Sequence, residues 1–396
     1  MAGPPVSPGV DGVWLRRIVS APSYAVSTNV RGYAMQIQAT DSTAEDFPAV
    51  RCSIIPPYLL RRLARQDSPQ FSAAARAAKE ALLHVRAVHA ARALPSPAAP
   101  PGLRQVKPGP PNRTIYDAGG SETLPGKLVL KEGEVASGDA SADEAYDGLG
   151  HTHRLFADVF GRNSIDGQGL PLDATVHFSK LYDNAFWDGR KMVFGDGDGE
   201  VFRRFTGSLS VIGHELAHGV TQYTAGLAYR NQAGAINESI SDVFGALVEQ
   251  YLKQQSAKEA SWLIGEGLFT PQVQGLALRS LRAPGTAYDD DVLGKDPQPD
   301  SMDSYVRTSA DNGGVHINSG IPNRAFYLVA EAIGSNAWEA PGRIWYDTLT
   351  GGSLTATTTF RAFARATASS AVDLFGSGSA EHDAVRQAWE TVKVKL

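Results

Sequence analysis

The sequence predicts an α+β fold, with a strand-rich N-terminal lobe, a helical C-terminal lobe and a short helical segment ahead of both. Apolar and polar residues alternate over 113–116 and 127–130, which is typical of strands. From about Phe202 onward, apolar residues recur at the spacing of helices. Residues 94–112 are rich in Pro and Gly, which indicates an extended linker between the leading segment and the folded body.

Bulk properties exclude several classes of protein. The 396 residues, 42% of them hydrophobic, are enough for about two or three globular units. A formal net charge of −5 gives no electrostatic basis for binding nucleic acid, and no apolar run is long enough to cross a bilayer. Because Cys52 is the only cysteine, the chain cannot form an internal disulfide.

Residues 1–50 are predicted to form a disordered extension, since they are weakly patterned and open with several prolines. They do not show the basic head, apolar middle and small-residue cleavage site of a signal peptide. Met35 is an alternative start of the protein, which would make residues 1–34 an upstream extension. N-terminal sequencing of the expressed protein distinguishes the two starts.

Residues 51–93 are predicted to form a helical segment that begins after Pro56 and Pro57, which hold the preceding residues extended. Its apolar stripe consists of Leu59, Leu60 and Leu63. The segment is basic and the chain after the linker is acidic, so we expect the two to dock. A solvated helix face would explain the charge equally well, and an accessory helical hairpin is the alternative for the segment.

The linker, 94–112, is expected to be exposed and therefore open to proteolysis, which places an activation cleavage between about Ala90 and Asn112. The two lobes are predicted over 113–225 and 226–396, and Ala174–Phe178 reads as a further strand of the first lobe.

A helix is predicted over 141–161, where aromatic and aliphatic residues recur at helical spacing. His151 and His153 on this helix are two apart and do not face each other, so we interpret them as structural or surface residues. Further helices are predicted near 208–225, 237–254 and 380–393.

Two of these helices carry the residue pattern of a metal site. His214 and His218 are four apart, so on a helix they project side by side and can chelate one ion. Glu215 stands at the next radial position, from which a carboxylate reaches a water molecule on that ion. Glu238 on the following helix can supply a third ligand, and Asp242, one turn further, can orient a ligand histidine. A structural helix is the alternative for the bare H-E-x-x-H match.

Both ligand helices and the loop between them resemble the active-site signature of the thermolysin family of zinc metallopeptidases, in the run GHELAHGVTQYTAGLAYRNQAGAINESISDVFG. Further similar runs are YDNAFWDGRKMVFGDGDG, DNGGVHINSGIPNRAFYL and AEHDAVRQAWETVKV. The resemblance extends from about Arg113 to the C-terminus, and residues 51–93 resemble the short propeptide of protealysin-like members. It implies a two-lobe fold with an active-site cleft between the lobes and one zinc ion per chain. It also implies a zymogen whose own propeptide is an intramolecular inhibitor.

The family pattern implies roles in catalysis for several matching residues. Glu215 is expected to be the general base, and the oxyanion donors are expected among Tyr229, His316 and the metal. Asp311, five residues upstream of His316, can hold that imidazole in its cationic, donating form. Without the resemblance, His316 would read as a satisfied buried histidine.

Other matching residues are expected to bind the substrate. Asn184 and Ala185 are implied to form a strand edge that pairs with an extended peptide, although the sequence alone would read as an ordinary hairpin. Arg279 matches an arginine that hydrogen-bonds a substrate carbonyl, and the alternative is an exposed surface arginine. The pocket for the residue after the scissile bond is implied to consist of Phe202, Phe205, Val211 and Leu278. Since all four are apolar, we expect cleavage before Leu, Ile, Phe or Val.

Calcium binding and the role of Cys52 stay open. Ser210 and Leu263 stand where thermolysin has carboxylates of its paired calcium site, whereas Glu249 and Glu266 are retained. A double calcium site is therefore not expected, a single weak one is possible, and stability is expected to depend less on calcium. The Cys52 thiolate could cap the zinc in the precursor, or the side chain could simply be packed.

The sequence thus predicts a monomeric zinc endopeptidase that acts on proteins or peptides. A different zinc hydrolase and a binding protein with a non-catalytic metal are the alternatives, and a casein assay with and without chelator separates the three. The family resemblance implies a secreted or extracellular enzyme, and a cytoplasmic precursor is possible.

Overall fold

A computed structural model describes residues 52–91 and 106–396. The expectations for residues 1–50, the alternative start at Met35 and most of the linker lie outside the described residues, as does the side chain of Cys52.

A six-stranded mixed sheet forms the centre of the N-terminal lobe, in the order β1-β5-β6-β4-β2-β3. The strands are β1 (Cys52–Ser53), β2 (Arg113–Asp117), β3 (Lys127–Lys131), β4 (Leu172–Val176), β5 (Ala185–Trp187) and β6 (Met192–Phe194). Strand β4 pairs in parallel with β2 and β6, and the other neighbours are antiparallel. The prediction for β4 was two residues late, because the backbone of His177 turns to a φ of 53° and ends the extended run.

Helix α3 (Ala140–Phe160) packs on this sheet and matches the predicted helix to within one residue. Asp139 caps its first turn by accepting from Ala142 N, and Gly161 ends it in a left-handed conformation. His153 is buried in the lobe and His151 is half-buried.

Two long helices meet where the lobes join: α4 (Leu209–Gln222) ends the N-terminal lobe and α5 (Asn231–Lys253) begins the C-terminal lobe. The predicted start of α5 was wrong by about six residues, because positions 231–235 hold only small or polar side chains and show no apolar stripe. Gly213 and Gly245 let the two helices approach closely. A Cβ on Gly213 would lie 3.0 Å from Gly245 Cα, and one on Gly245 would lie 2.4 Å from Ser210 O. This close packing brings the predicted ligand faces of α4 and α5 together.

Short strand pairs and five further helices complete the lobe. The strand pairs are β7 (Leu263–Ile264) with β8 (Arg279–Ser280) and β9 (Asp289–Asp290) with β10 (Gly294–Lys295). The helices are α6 (Asp311–Asn318), α7 (Gly320–Ile333), α8 (Ala340–Thr350), α9 (Phe360–Phe375) and α10 (Ala380–Thr391). The α+β prediction is confirmed, and no helix of the described residues is long and apolar enough to span a bilayer.

The segment ahead of the linker forms α1 (Pro57–Leu63) and α2 (Ser72–Ala91), as its pattern predicted. Arg62 on α1 donates to the backbone carbonyls of Asp291 (2.8 Å) and Val292 (3.0 Å) in the β9–β10 hairpin. Glu200 accepts from two N–H groups of the first turn of α2, at 2.8 and 2.9 Å. These contacts confirm that the segment docks on the body, and each of them uses a backbone group of one partner instead of pairing a basic side chain with a carboxylate.

Candidate metal centre

Two histidines and a glutamate converge where α4 packs against α5. The Nε2 atoms of His214 and His218 are 3.0 Å apart. The Glu238 carboxylate lies 3.6 Å from the first Nε2 and 3.4 Å from the second, and all three side chains are buried. Their possible ligand atoms all lie within 4.8 Å of one another.

Hydrogen bonds on the outer side of each imidazole fix its orientation. His214 Nδ1 pairs with Asp242 Oδ1 at 2.8 Å. His218 Nδ1 lies 2.8 Å from Asn237 Oδ1 and 2.9 Å from Ser241 Oγ. Acceptors at Nδ1 leave each Nε2 lone pair pointing to the shared centre. Glu238 Oε2 is buried and has no hydrogen-bond partner, so this donor set fits a zinc ion.

The electrostatics of the centre keep its carboxylates ionised. Burial raises the pKa of Glu238, but the nearby histidines, His316 foremost, outweigh burial and lower it to about 2. Burial also raises the pKa of Asp242, but Arg279 and His214 outweigh burial and hold that pKa well below its usual range. Anionic oxygens therefore face the centre at neutral pH, as metal ligands and their orienting groups must.

Glu215 lies beside this centre and is held by the central sheet. It is fully buried, and its Oε2 accepts from the backbone N–H of Trp187 on β5 at 3.1 Å. The strand thus orients the carboxylate that the sequence predicts to be the general base.

Tyr229 and His316 both lie against the ligand Glu238. The Tyr229 hydroxyl donates to Glu238 Oε1 and lies 3.1 Å from His316 Nε2. Asp311 holds the histidine twice, through Nδ1 at 2.7 Å and through the backbone N–H at 2.9 Å. Burial lowers the pKa of His316, but the charges of Glu238 and Asp311 outweigh it and the net shift is upward. Residues 311–314 all have positive φ, a conformation that glycine adopts freely at 313 and 314 and that Asp and Asn adopt more readily than other residues at 311 and 312.

Arg279 is fully buried, so its alternative interpretation as a surface arginine is wrong. Its guanidinium donates from Nε and Nη2 to the Asp242 carboxylate at 2.8–3.1 Å. Asn323 Nδ2 on α7 donates to Asp242 Oδ2 at 2.8 Å. The Asp242 carboxylate therefore both orients His214 and fixes the position of Arg279.

The strand edge next to the centre is occupied by the segment ahead of α1. Strand β1 pairs antiparallel with β5. Beyond it, Ile54 N donates to Ala185 O at 3.2 Å, and Ile55 N donates to Asn184 Oδ1 at 3.1 Å. Arg279 Nη1 donates to Ile54 O at 3.1 Å. The three residues expected to bind substrate backbone thus all hold this segment.

The four residues of the expected apolar pocket are all buried: Phe202, Phe205, Val211 and Leu278. The rings of the two phenylalanines lie 5.8 Å apart. Charged side chains would lose their hydration here without compensation.

Sequence reasoning missed four groups at this centre: Asn237, Ser241, Asn323 and the Trp187 N–H. The first two are four apart on α5, so the helical spacing that identified Glu238 and Asp242 would have found them too. The other two come from distant parts of the chain and leave no local signal.

Two of the residues at the positions of thermolysin's paired calcium site contact other protein groups in this chain. Ser210 Oγ accepts from Gly265 N at 3.1 Å. Glu249 pairs with Lys253, and Glu266 is exposed. Within residues 52–91 and 106–396, the histidine and carboxylate groups close enough for a metal are those of His214, His218 and Glu238.

Comparisons with known proteins agree with this geometry. Residues 108–222 match the thermolysin metallopeptidase catalytic domain, and residues 225–394 match its alpha-helical domain. An extracellular metalloprotease of Pectobacterium carotovorum is 49% identical over 348 residues, covering 87% of this chain and 97% of that protein. A thermolysin of Alicyclobacillus acidocaldarius is 41% identical over 289 residues, covering 70% of this chain and 50% of that protein.

A solved structure extends the likeness to the segment ahead of the linker. The precursor of protealysin, a metalloproteinase from Serratia proteamaculans, is 50% identical, with a TM-score of 0.78 over 87% of this chain and 100% of that one. The expected resemblance is therefore confirmed, and the chain belongs to the thermolysin family of metallopeptidases.

Proposed function

We propose that this protein is a zinc-dependent endopeptidase made as a zymogen, and that each residue of its site has a distinct role in hydrolysis or in substrate binding. The observation that carries the proposal is the group formed by His214, His218 and Glu238, with Glu215 on the same helix as the two histidines. The carbonyl oxygen of Ser53 lies 3.2 Å from His316 Nε2, next to this group. Three protein ligands leave a coordination position open for chemistry, as in catalytic zinc sites.

The chain's own residues divide the work of hydrolysis. A zinc ion held by His214, His218 and Glu238 would supply a Lewis acid for the substrate carbonyl. Glu215 accepts a proton from the attacking water and returns it to the leaving nitrogen. Tyr229 and His316 donate hydrogen bonds to the oxyanion that develops at the carbonyl.

Substrate backbone is held by residues that now hold the chain's own segment. Asn184 and Ala185 align an extended peptide along β5, and Arg279 binds the carbonyl of the residue after the scissile bond. Holding the peptide in this orientation lowers the activation barrier, because the entropy of bringing the reacting groups together is lost on binding and not in the chemical step.

The apolar pocket gives a prediction for specificity. After cleavage of the linker, we expect peptides with Leu, Ile, Phe or Val after the scissile bond to be cut at least about 10²-fold faster than those with Asp or Lys, because the pocket cannot solvate a charge. Mass spectrometry of a peptide library measures the ratio. Preference for charged residues at that position would contradict the pocket assignment, and uncut peptides would contradict the proposed function.

The segment 51–93 is proposed to be the inhibitory propeptide, and cleavage between about Ala90 and Asn112 is proposed to allow its release. Its occupation of the substrate-binding edge supports this role. We further propose that the enzyme acts outside the cell, as the name of the Pectobacterium relative says of that protein.

Two finer points concern calcium and assembly. A weak single calcium site remains a proposal, and the bond from Gly265 to Ser210 supports low dependence of stability on calcium. The monomeric state that the sequence predicts stays a prediction.

A further inference from the structure

The peptide bond between Ser53 and Ile54 lies at the proposed catalytic centre. Ser53 O is 3.2 Å from His316 Nε2, the nitrogen that is proposed to stabilise an oxyanion. A carbonyl oxygen in this place is the oxygen on which charge develops during attack.

The flanking contacts place this bond in the register of a substrate. On the N-terminal side, Ser53 pairs with Phe186 across the antiparallel β1–β5 ladder. On the C-terminal side, the N–H of Ile54 donates to Ala185 O and its carbonyl accepts from Arg279. The bond to Ala185 O, the bond from Arg279 and the antiparallel strand direction are therefore those expected for a bound substrate peptide.

The side chain after the bond also fits. Ile54 is fully buried, and it is one of the apolar residues expected after the scissile bond. Pro56 and Pro57 follow two residues later and begin α1, so the extended backbone ends soon after this register.

We propose that the Ser53–Ile54 bond is a self-cleavage site of the precursor, separate from cleavage in the linker. This inference rests on the proposed peptidase function. Water adds its oxygen to the Ser53 carbonyl carbon, the C–N bond breaks, and Ile54 leaves as an amine that takes the proton from Glu215. The products are a carboxylate on Ser53 and a new N-terminus at Ile54.

This cut removes everything before Ile54 but does not by itself free the cleft. The new N-terminal segment stays docked through Arg62 in the β9–β10 hairpin and through the first turn of α2 on Glu200. Full activity then still requires cleavage of the linker.

Intact-mass spectrometry of the zinc-loaded full-length protein tests the proposal. We expect a product that begins at Ile54, formed at a rate that does not depend on protein concentration, because the bond is already in the site. Ile54→Val should retain the cut, and Ile54→Asp should slow it at least about 10²-fold. The matched control Leu83→Asp places the same charge on the exposed surface of α2 and should leave the cut unchanged.

A binding measurement tests the register without catalysis. In zinc-loaded Glu215→Gln protein, limited trypsin digestion cuts the linker, and size-exclusion chromatography shows whether the propeptide stays bound. Adding Ile54→Asp should release it, whereas adding Leu83→Asp should not. Equal retention of both would overturn the register.

Failure of self-cleavage and failure of the peptidase function give different results. If linker-cleaved enzyme digests the peptide library but the Ser53–Ile54 bond stays intact in the precursor, self-cleavage is wrong and the peptidase function stands. If neither the library nor this bond is cut, the proposed function itself is wrong.

Discussion

Replacing Glu215 with Gln is expected to lower the peptidase kcat by about 10³-fold while the zinc content stays at one ion per chain. Gln keeps the size of the side chain and its hydrogen bond from Trp187 N, but it cannot accept a proton from water. The metal ligands are untouched, because Glu215 is not one of them. Peptide hydrolysis after activation with trypsin, together with metal analysis, measures both quantities.

A control variant separates loss of the base from loss of a negative charge. Glu390→Gln makes the same change at an exposed position of α10 and should keep the parental kcat. If Glu215→Gln digests peptides as fast as the parent, Glu215 is not the base and the proposed mechanism is wrong.

Replacing Asp242 with Ala is expected to lower the free energy of unfolding by about 3–5 kcal/mol, since it leaves the buried Arg279 without its counter-ion. The same change removes the acceptor from His214 Nδ1, so zinc affinity should fall by about 10- to 100-fold. Urea denaturation and competition with a zinc chelator measure the two effects.

The matched control for this variant is Asp373→Ala, which removes an exposed carboxylate of α9. We expect it to leave both the free energy of unfolding and zinc affinity close to parental values. Parental zinc affinity in a folded Asp242→Ala protein would show that this carboxylate does not orient His214.

Local spacing carried the prediction of the ligand helices. A separation of four residues puts His214 beside His218 and Glu238 one turn from Asp242, and this holds for any helix whatever it packs against. The close approach of Gly213 and Gly245 arises only when α4 packs against α5. The sequence alone does not show which helices pack together, so it gives no reason to pair these two glycines.

Contacts between distant parts of the chain could not be predicted in this way. The Trp187 N–H that orients Glu215 belongs to a backbone, so no residue type marks it. Asn323 reaches Asp242 across 81 positions of sequence. The register of Ile54 on β5 depends on which backbone groups face each other, and the basic composition of the segment indicated docking but not its alignment.

The requirement for zinc in peptide hydrolysis is tested by titration of the metal. Linker-cleaved protein is stripped with a chelator, and peptide hydrolysis is followed as zinc is added back. We expect no hydrolysis by the stripped protein and a linear rise in rate with added zinc that ends at one ion per chain. Undiminished hydrolysis by the metal-free protein would contradict the requirement for zinc.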